Sequence, residues 1–259
     1  MRQPALFLSH GAPTFMLEDN ATTRFWQSLP QRLPEKPRAL LCISAHWDAP
    51  QLRISGTLGK VGIQHDFYGF PKELYDITWD EHGDTETAAW LLQRLHELNV
   101  DVAEDSRPLD HGVWVPLKAA WPALDFPVYQ LSLSLGQGLE AHWELGQHLA
   151  ALRDEGVLIV GSGGITHNLH TIDWHAPAGV AAPWASAFVV AVEKAMKEDG
   201  RAALCRPWDF PYGKESHPTV EHYAPLLFVL GAANGEAIRK IHESWMFATF
   251  ALNAYSAGL

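Results

Sequence analysis

Four short, largely apolar runs are the feature that most limits how this 259-residue chain can fold. They lie at residues 5–8, 39–43, 128–133 and 157–160. Strands that are buried on both faces have this pattern, because neither face alternates with polar residues that meet solvent. The four runs therefore predict the inner strands of a covered β-sheet.

Helical patterns lie between these runs. Apolar residues recur every four residues from 184 to 196, which predicts one helix. They recur every three or four residues from 145 to 152, which predicts a second helix that Gly156 is expected to end. A third helix is predicted to begin at Asp84 or Thr85. Alternating strands and helices are typical of α/β proteins.

We therefore expect a single α/β domain over residues 1–259, a sandwich with a mostly parallel, mixed central sheet flanked by helices. The run at residues 245–252 is interpreted as one further strand. The interval 62–79 is rich in aromatic residues and has no clear period. It is interpreted either as a loop that closes over a substrate ring or as simple core packing.

Composition excludes several classes of partner. A formal net charge of −11 without a run of Lys and Arg argues against nucleic acid. No segment approaches the ~20 apolar residues of a membrane span, which predicts a cytoplasmic protein without a membrane partner. Cys42 and Cys205 are too few for a disulfide framework and receive no role. The surplus of aromatic residues leaves a homo-oligomer open.

Four histidines stand out by position. His10 and His46 follow apolar runs, His167 follows a glycine-rich turn, and His222 lies in a segment opened by Pro218. In open α/β sheets, ligands bind in the crevice at the carboxyl ends of the strands. Neutral imidazole is the commonest metal ligand in proteins. The pattern predicts a metal site at that edge of the sheet.

The other histidines receive weaker interpretations. His111, at a turn before a helix, is either a structural cap or a group that assists acid/base chemistry, and His217 is expected to line a cleft. His170 and His175 stay ambiguous. Five more are expected to have ordinary surface or core roles: His82, His96, His142, His148 and His242.

The turn at residues 161–164, Gly-Ser-Gly-Gly, lacks the spacing of a P-loop, a dinucleotide fingerprint or a nucleophile elbow. We interpret it as a close turn that lets backbone approach the site and directs His167 into it.

Taken together, these segments resemble the class III extradiol ring-cleavage dioxygenases, and within them the 4,5-DOPA-extradiol dioxygenase group. The resemblance extends over most of the chain and is specific to the family rather than to one substrate. It rests on SHGAP at 9–13, SAHW at 44–47, HDFYGFP at 65–71, LDHG at 109–112, GSG at 161–163, HNL at 167–169, HP at 217–218 and EHY at 221–223.

The resemblance implies that His10, His46 and His222 are metal ligands. It implies that His167 faces the metal as a fourth ligand or as the acid/base, with a pKa near neutrality. His111 and His217 are expected to support His167 through hydrogen bonds. Many class III enzymes complete the site with a carboxylate, whereas the matching position here is His222, one residue after Glu221.

The activity implied is cleavage of the aromatic ring of a catechol, such as 3,4-dihydroxyphenylalanine, with O2. Fe2+ is expected for turnover, and Zn2+ fits the same histidines. Two other functions stay open at this point. One is a zinc-dependent hydrolase that uses the same histidine cluster, and the other is a non-catalytic dioxygenase-like binding protein.

Overall fold

The computed structural model describes residues 1–80, 83–198 and 200–259. His82, one of the histidines expected to be ordinary, lies outside these ranges. This part of the chain forms the strands β1 Ala5–Ser9, β2 Ala39–Asp48, β3 Arg53–Ser55, β4 Ala103–Asp105, β5 Val128–Leu133, β6 Val157–Gly163, β7 Arg239–His242, β8 Trp245–Met246, β9 Phe250–Ala251 and β10 Ala254–Ala257.

Eight of these strands form one mixed sheet in the order β4-β3-β5-β2-β6-β1-β10-β7. The four strands at its centre, β5, β2, β6 and β1, are all mutually parallel. They coincide with the four predicted apolar runs. Antiparallel pairs occur towards the two edges, between β3 and β5 and along β1, β10 and β7. The predicted mixed, mostly parallel sheet flanked by helices is confirmed.

The α-helices of the same ranges are α1 Ala21–Arg32, α2 Lys72–Tyr75, α3 Thr85–Glu97, α4 His111–Ala120, α5 Leu139–Leu149, α6 Pro183–Lys197, α7 Arg201–Leu204, α8 Gly213–Ser216 and α9 Ala224–Ala233. Short 3-10 helices span Pro13–Leu17, Leu135–Gln137, Ala150–Glu155, Leu169–Thr171 and Pro207–Asp209. Each helix of these ranges is too short or too polar to cross a lipid bilayer.

The sheet carries a hydrophobic core on each face. Alternate residues of β1 point in opposite directions, so Ala5 and Phe7 join a core with α3, α5, α6 and α9. Leu6 and Leu8 join a second core with α1 and α4. Because both faces are covered, residues on both faces of the central strands are buried.

The three predicted helices are confirmed. Asp84 is the N-cap of α3 and accepts a hydrogen bond from the Thr87 backbone N–H. The helix predicted to stop at Gly156 is α5 continued by the 3-10 helix Ala150–Glu155. Gly156 is the C-cap of that 3-10 helix, in the left-handed conformation at φ +89°.

The expectation of one strand at residues 245–252 is wrong. The segment folds into a separate small hairpin of β8 and β9. Phe247 and Ala248, at its turn, have φ +52° and +57°. A left-handed backbone at two successive residues reverses the chain and prevents one continuous strand.

Candidate metal centre

Three imidazoles converge at the carboxyl ends of the central strands. His10 directly follows β1, His46 lies near the end of β2, and His222 lies in the turn before α9. Their ring centroids are 4.9 Å apart for His10 and His46, 5.3 Å for His10 and His222, and 4.9 Å for His46 and His222. One ligand atom from each falls within 4.8 Å of the others. Convergence at strand ends is the arrangement expected from the sequence.

Glycines of β6 allow the chain around His222 to come this close. A Cβ atom on Gly163 would overlap the His222 carbonyl oxygen, and one on Gly161 would overlap the Pro225 carbonyl oxygen. The prediction of a turn at 161–164 is wrong for residues 161–163, which continue strand β6, but close backbone approach at these glycines is confirmed. Their contribution is steric, since the start of α9 could not lie against β6 if these positions had side chains.

Ser162, between these glycines, orients His10. Its hydroxyl donates to the Gly112 carbonyl, which can only accept. The Ser162 oxygen lies 2.9 Å from His10 Nδ1, so it accepts the Nδ1 proton. His10 Nε2 then carries the lone pair, 3.0 Å from His46 Nε2. A hydrogen bond that sets the tautomer in this way is the usual support of a metal-ligating histidine.

The donor set fits a divalent cation. His222 Nε2 is buried and has no hydrogen-bond partner among the described residues, while Nδ1 of the same ring lies 3.3 Å from Glu221 Oε1. A buried nitrogen without a partner is costly in a folded protein, and a bound cation would remove that cost. Burial, and then the neighbouring histidines, hold the pKa values of His10 and His222 well below the ordinary value. Neutral imidazoles of this kind are suitable ligands.

His46 is held by its surroundings on two sides. Arg107 donates a hydrogen bond of 3.0 Å to the His46 carbonyl. A Cβ atom on Gly112 would lie 3.0 Å from His46 Cδ2, so α4 packs against this ring through a glycine. Burial, and then the nearby His111, lower the pKa of His46 to about 3.

His167 lies beside the converging group. Its ring stacks on that of His222 with centroids 3.4 Å apart and an interplanar angle of 6°. His167, Glu221 and His222 form another group of side chains that could hold a metal ion. This group is distinct from the one formed by His10, His46 and His222. Burial, and then His111, lower the pKa of His167 to about 4, below the near-neutral value expected for the acid/base.

The other two predicted site residues have different partners from those expected. The His111 ring lies 4.0 Å from that of His46, and its Nδ1 lies 3.0 Å from Asp66 Oδ1. His217 is fully buried, and its Nε2 donates to the Ile165 carbonyl at 3.0 Å. The predicted hydrogen bonds from His111 and His217 to His167 are therefore wrong, because a carboxylate and a backbone carbonyl lie in position to engage these two imidazoles.

Six further histidines of the described ranges lie elsewhere. His142 is a core histidine whose Nε2 accepts from the Ser134 N–H and whose Nδ1 contacts the Gly138 carbonyl. His170 and His175, which the sequence left ambiguous, are exposed. His96 and His148 are also exposed, and His242 is half-buried.

The aromatic loop is packed in this structure. Phe67 contacts Phe70, Tyr75 and Trp114, and its ring lies 5.8 Å from that of His111. Tyr68, in contrast, is 92% exposed. Core packing accounts for Phe67, and closure of the loop over a substrate stays a prediction.

Sequence reasoning missed several polar neighbours of the centre. The Asp66 carboxylate contacts His111 Nδ1, and the Ser162 hydroxyl contacts His10 Nδ1. The fully buried Asp110 accepts a 2.7 Å hydrogen bond from Ser44. Burial raises the pKa of Asp110. The available signal was the placement of Ser44, Asp66 and Asp110 in short motifs that contain a histidine, and of Ser162 in the motif GSG. These motifs do not indicate which residues contact each other.

Comparison with known proteins agrees with this geometry. The family described as the catalytic LigB subunit of aromatic ring-opening dioxygenase matches residues 4–256. The chain is 40% identical over 238 residues to a 4,5-DOPA dioxygenase extradiol of Escherichia coli strain K12, covering 91% of this chain and 87% of that protein. It is 36% identical over 248 residues to a protein of the same name from Beta vulgaris, covering 92% and 90%.

A solved structure agrees as well. The crystal structure of an uncharacterized protein from Escherichia coli K12 superposes with a TM-score of 0.80 at 34% identity, over 99% of this chain and 100% of that one. The fold, the histidine cluster and the family match point to the same chemistry. The chain belongs to the class III extradiol ring-cleavage dioxygenases, the metal-dependent enzymes that open the aromatic ring of catechols.

Proposed function

We propose that residues 1–259 form one catalytic domain that cleaves the ring of 3,4-dihydroxyphenylalanine, or a catechol closely related to it, with O2. In this proposal His10, His46 and His222 hold an iron(II) ion and His167 is the acid/base. The observation that carries it is the buried, unpartnered Nε2 of His222, near the facing Nε2 atoms of His10 and His46. The names of the relatives from Escherichia coli and Beta vulgaris support this substrate.

A bound divalent cation would supply Lewis acidity towards the catechol oxygens, and iron(II) would add the capacity to react with dioxygen. The first contribution of the protein is electrostatic. Three neutral imidazoles leave the full charge of a dication in place, which favours binding of an anionic catecholate. Zinc fits the same ligands, so the identity of the working metal is part of the proposal.

His167 is the best-placed group to accept a proton. With a pKa lowered to about 4, its imidazole is neutral at pH 7 and can take the proton of a catechol hydroxyl. A catecholate beside the ring would raise that pKa, since an anion stabilises the imidazolium form. Return of the proton to the product then restores the neutral ring.

His111 and His217 have separate parts. His111, beside His46 and in contact with Asp66, is a second group able to hold a proton near the substrate. His217 supports the segment that carries His167 by donating to the Ile165 carbonyl. It is a positioning residue in this proposal.

The test is anaerobic reconstitution of metal-free protein with iron(II), followed by dioxygen uptake and a visible spectrum after addition of dihydroxyphenylalanine. We expect stoichiometric uptake and a yellow ring-opened product, with zinc-loaded protein as the inactive control. No uptake across a panel of catechols, at one iron per chain, would contradict the proposal.

The His167→Gln variant tests the acid/base assignment. We expect it to bind iron and catechol as the wild type does, and to turn over about a hundredfold more slowly or worse, because the proton acceptor is gone. The His175→Gln variant, at an exposed position, is the matched control. A wild-type rate in His167→Gln would remove His167 from the mechanism.

A cytoplasmic location and self-association stay predictions of the sequence. Cell fractionation tests the first. Light scattering coupled to size-exclusion chromatography tests the second, with a mass of 28.8 kDa expected for a monomer.

A further inference from the structure

The segment that carries His167 is fixed at each of its residues. The Ile165 N–H donates to Ser9 Oγ at 3.3 Å, and the Ile165 carbonyl accepts from His217. The His167 N–H donates to the Ser216 carbonyl at 2.9 Å. These bonds fix the backbone on both sides of Thr166.

Thr166 itself makes a double connection through its hydroxyl. Oγ1 donates to the Thr249 carbonyl at 2.7 Å and accepts from the Ala251 N–H at 2.8 Å. These two backbone groups flank Phe250 on strand β9. One buried side chain thus ties the residue before His167 to both neighbours of Phe250.

Phe250 lies against the His167 ring. Their centroids are 5.8 Å apart with an interplanar angle of 24°, whereas His222 stacks on His167 at 3.4 Å. The described residues show no ring contact between His222 and Phe250. The His167 imidazole therefore contacts two separate rings, His222 and Phe250.

The hairpin that presents Phe250 is held in an unusual conformation. Its turn contains two residues with left-handed backbone, Phe247 and Ala248. The Phe247 carbonyl accepts from the Asp173 N–H at 3.2 Å, and the Ala248 carbonyl accepts from the Ala182 N–H at 2.7 Å. Bulky residues keep such a backbone only where surrounding contacts enforce it, and enforced strain of this kind concentrates at functional sites.

We propose that Thr166 and Phe250 are positioning residues for His167, with the Thr166 hydroxyl fixing Phe250 so that it keeps the imidazole parallel to His222. The inference deepens the proposed function, since it rests on His167 being the acid/base. A proton acceptor that can turn away from the substrate loses rate steeply, because catalysis depends on near-attack geometry.

The test uses two pairs of variants and two readouts. Thr166→Val removes both hydrogen bonds and keeps the shape, and Thr166→Ser restores the hydroxyl. Phe250→Leu removes the ring, and Phe126→Leu, at a buried aromatic that packs on Trp121, is the matched control. The readouts are kcat and KM of the iron-loaded enzyme, and the His167 imidazole signal in 15N NMR spectra of metal-free protein, assigned by its loss in His167→Gln.

We expect Thr166→Val and Phe250→Leu to lower kcat by about tenfold, with KM and iron content near wild type, because only the alignment of the acceptor changes. The His167 signal should broaden or double in both variants. Thr166→Ser should recover both readouts, and Phe126→Leu should leave them unchanged. A single sharp His167 signal and a wild-type kcat in both Thr166→Val and Phe250→Leu would overturn the inference.

The NMR readout separates this inference from the proposed function. If iron-loaded wild-type protein cleaves no catechol, the proposed function fails, and the metal-free spectra alone decide whether Thr166 and Phe250 hold the imidazole. If the spectra change as expected while the wild type is inactive, the positioning role stands without the proposed chemistry.

Discussion

At the scale of single residues, the centre depends on which nitrogen of each imidazole carries the proton. The Ser162 hydroxyl must donate to the Gly112 carbonyl, so it can only accept from His10. That single constraint leaves the lone pair of His10 on Nε2, facing His46. In the proposed metal centre, the hydrogen bond from His10 to Ser162 would therefore decide whether His10 can bind the ion.

Ser162→Ala tests this constraint. The variant leaves the buried Nδ1 proton of His10 without an acceptor, which costs about 1–3 kcal/mol of unfolding free energy. We also expect zinc affinity to fall about 10- to 100-fold, as measured by competition with a chromogenic chelator.

Ser256→Ala is the matched control for Ser162→Ala. Ser256 is equally buried, and within the described part of the chain its Oγ has no hydrogen-bond partner. Loss of that hydroxyl should leave zinc affinity unchanged. Equal zinc affinities for Ser162→Ala and Ser256→Ala would show that Ser162 does not orient the ligand.

His142 gives a pH prediction away from the centre. Burial lowers its pKa below the ordinary value, so the unfolded chain binds this proton more readily than the folded protein. The contribution of His142 to the free energy of unfolding is fully present above about pH 6.5. It decreases as the pH falls from there towards the pKa of His142 in the folded protein. His142→Gln should therefore flatten the dependence of unfolding free energy on pH below 6.5, by at most about 1.4 kcal/mol per pH unit.

Urea denaturation of metal-free protein between pH 7.5 and 5 measures the effect of His142→Gln. His175→Gln, at an exposed position, controls for the loss of a histidine. Equal slopes for His142→Gln and wild type would mean that this imidazole does not resist protonation in the folded protein.

Residue-level prediction from sequence succeeded where a motif and a strand end coincide. His10 and His46 stand at the ends of apolar runs, and the structure brings them together with His222. Ser162 could not be paired with His10 in advance, because 152 residues separate them and no periodicity links them. The same holds for Asp66 and His111, which are 45 residues apart.

At the scale of elements, glycines set how closely helices approach the ends of the strands. Gly112, in the first turn of α4, faces β2. A Cβ atom there would lie 2.6 Å from Ser44 Oγ and 3.0 Å from His46 Cδ2. Ala would otherwise favour the helix by about 1 kcal/mol, so steric contact and helix propensity act in opposite directions.

We expect Gly112→Ala to be destabilising by about 1–3 kcal/mol, because overpacking outweighs the gain in propensity. Displacement of His46 should also weaken zinc binding, measured by calorimetry. Gly136→Ala, where an added methyl group meets no atom within 4 Å, is the control. A Gly112→Ala variant as stable as the wild type, with unchanged zinc affinity, would contradict the steric role of this contact.

Elements differed in how well the sequence predicted them. Strands β5, β2, β6 and β1 were predictable because helices cover both of their faces. Strands β3, β4 and β7 lie at or next to the edges of the sheet. They are only three or four residues long and contain charged or polar residues, so they lack any apolar run. Their pairing depends on neighbours distant in the chain, and local pattern does not contain that information.

At the scale of the whole molecule, the proposed centre joins β1, β2 and the start of α9, so metal binding should stabilise the entire fold. Zinc at a hundred times its Kd adds about 2.7 kcal/mol. For a chain of this size, that raises the Tm by roughly 5–11 °C. Differential scanning fluorimetry of metal-free protein with added zinc measures the shift.

His222→Ala should abolish most of this zinc-dependent rise in Tm, and His170→Ala, at an exposed position, should retain it. An equal rise in His222→Ala and wild type would place the stabilising ion somewhere other than the three converging imidazoles.

The pairing of β1 with β6 and β10 has a consequence for biosynthesis. Residues 5–9 are translated well before their two neighbours in the sheet, which lie at 157–163 and 254–257. At roughly 5–20 residues per second, a nascent β1 waits many seconds before either neighbour has been made. His10 directly follows β1, whereas His222 is translated after β6. If the proposed ligand set holds a metal, loading of the complete set must follow translation of residue 222. A ribosome-bound fragment that ends before residue 222 would carry only part of that set.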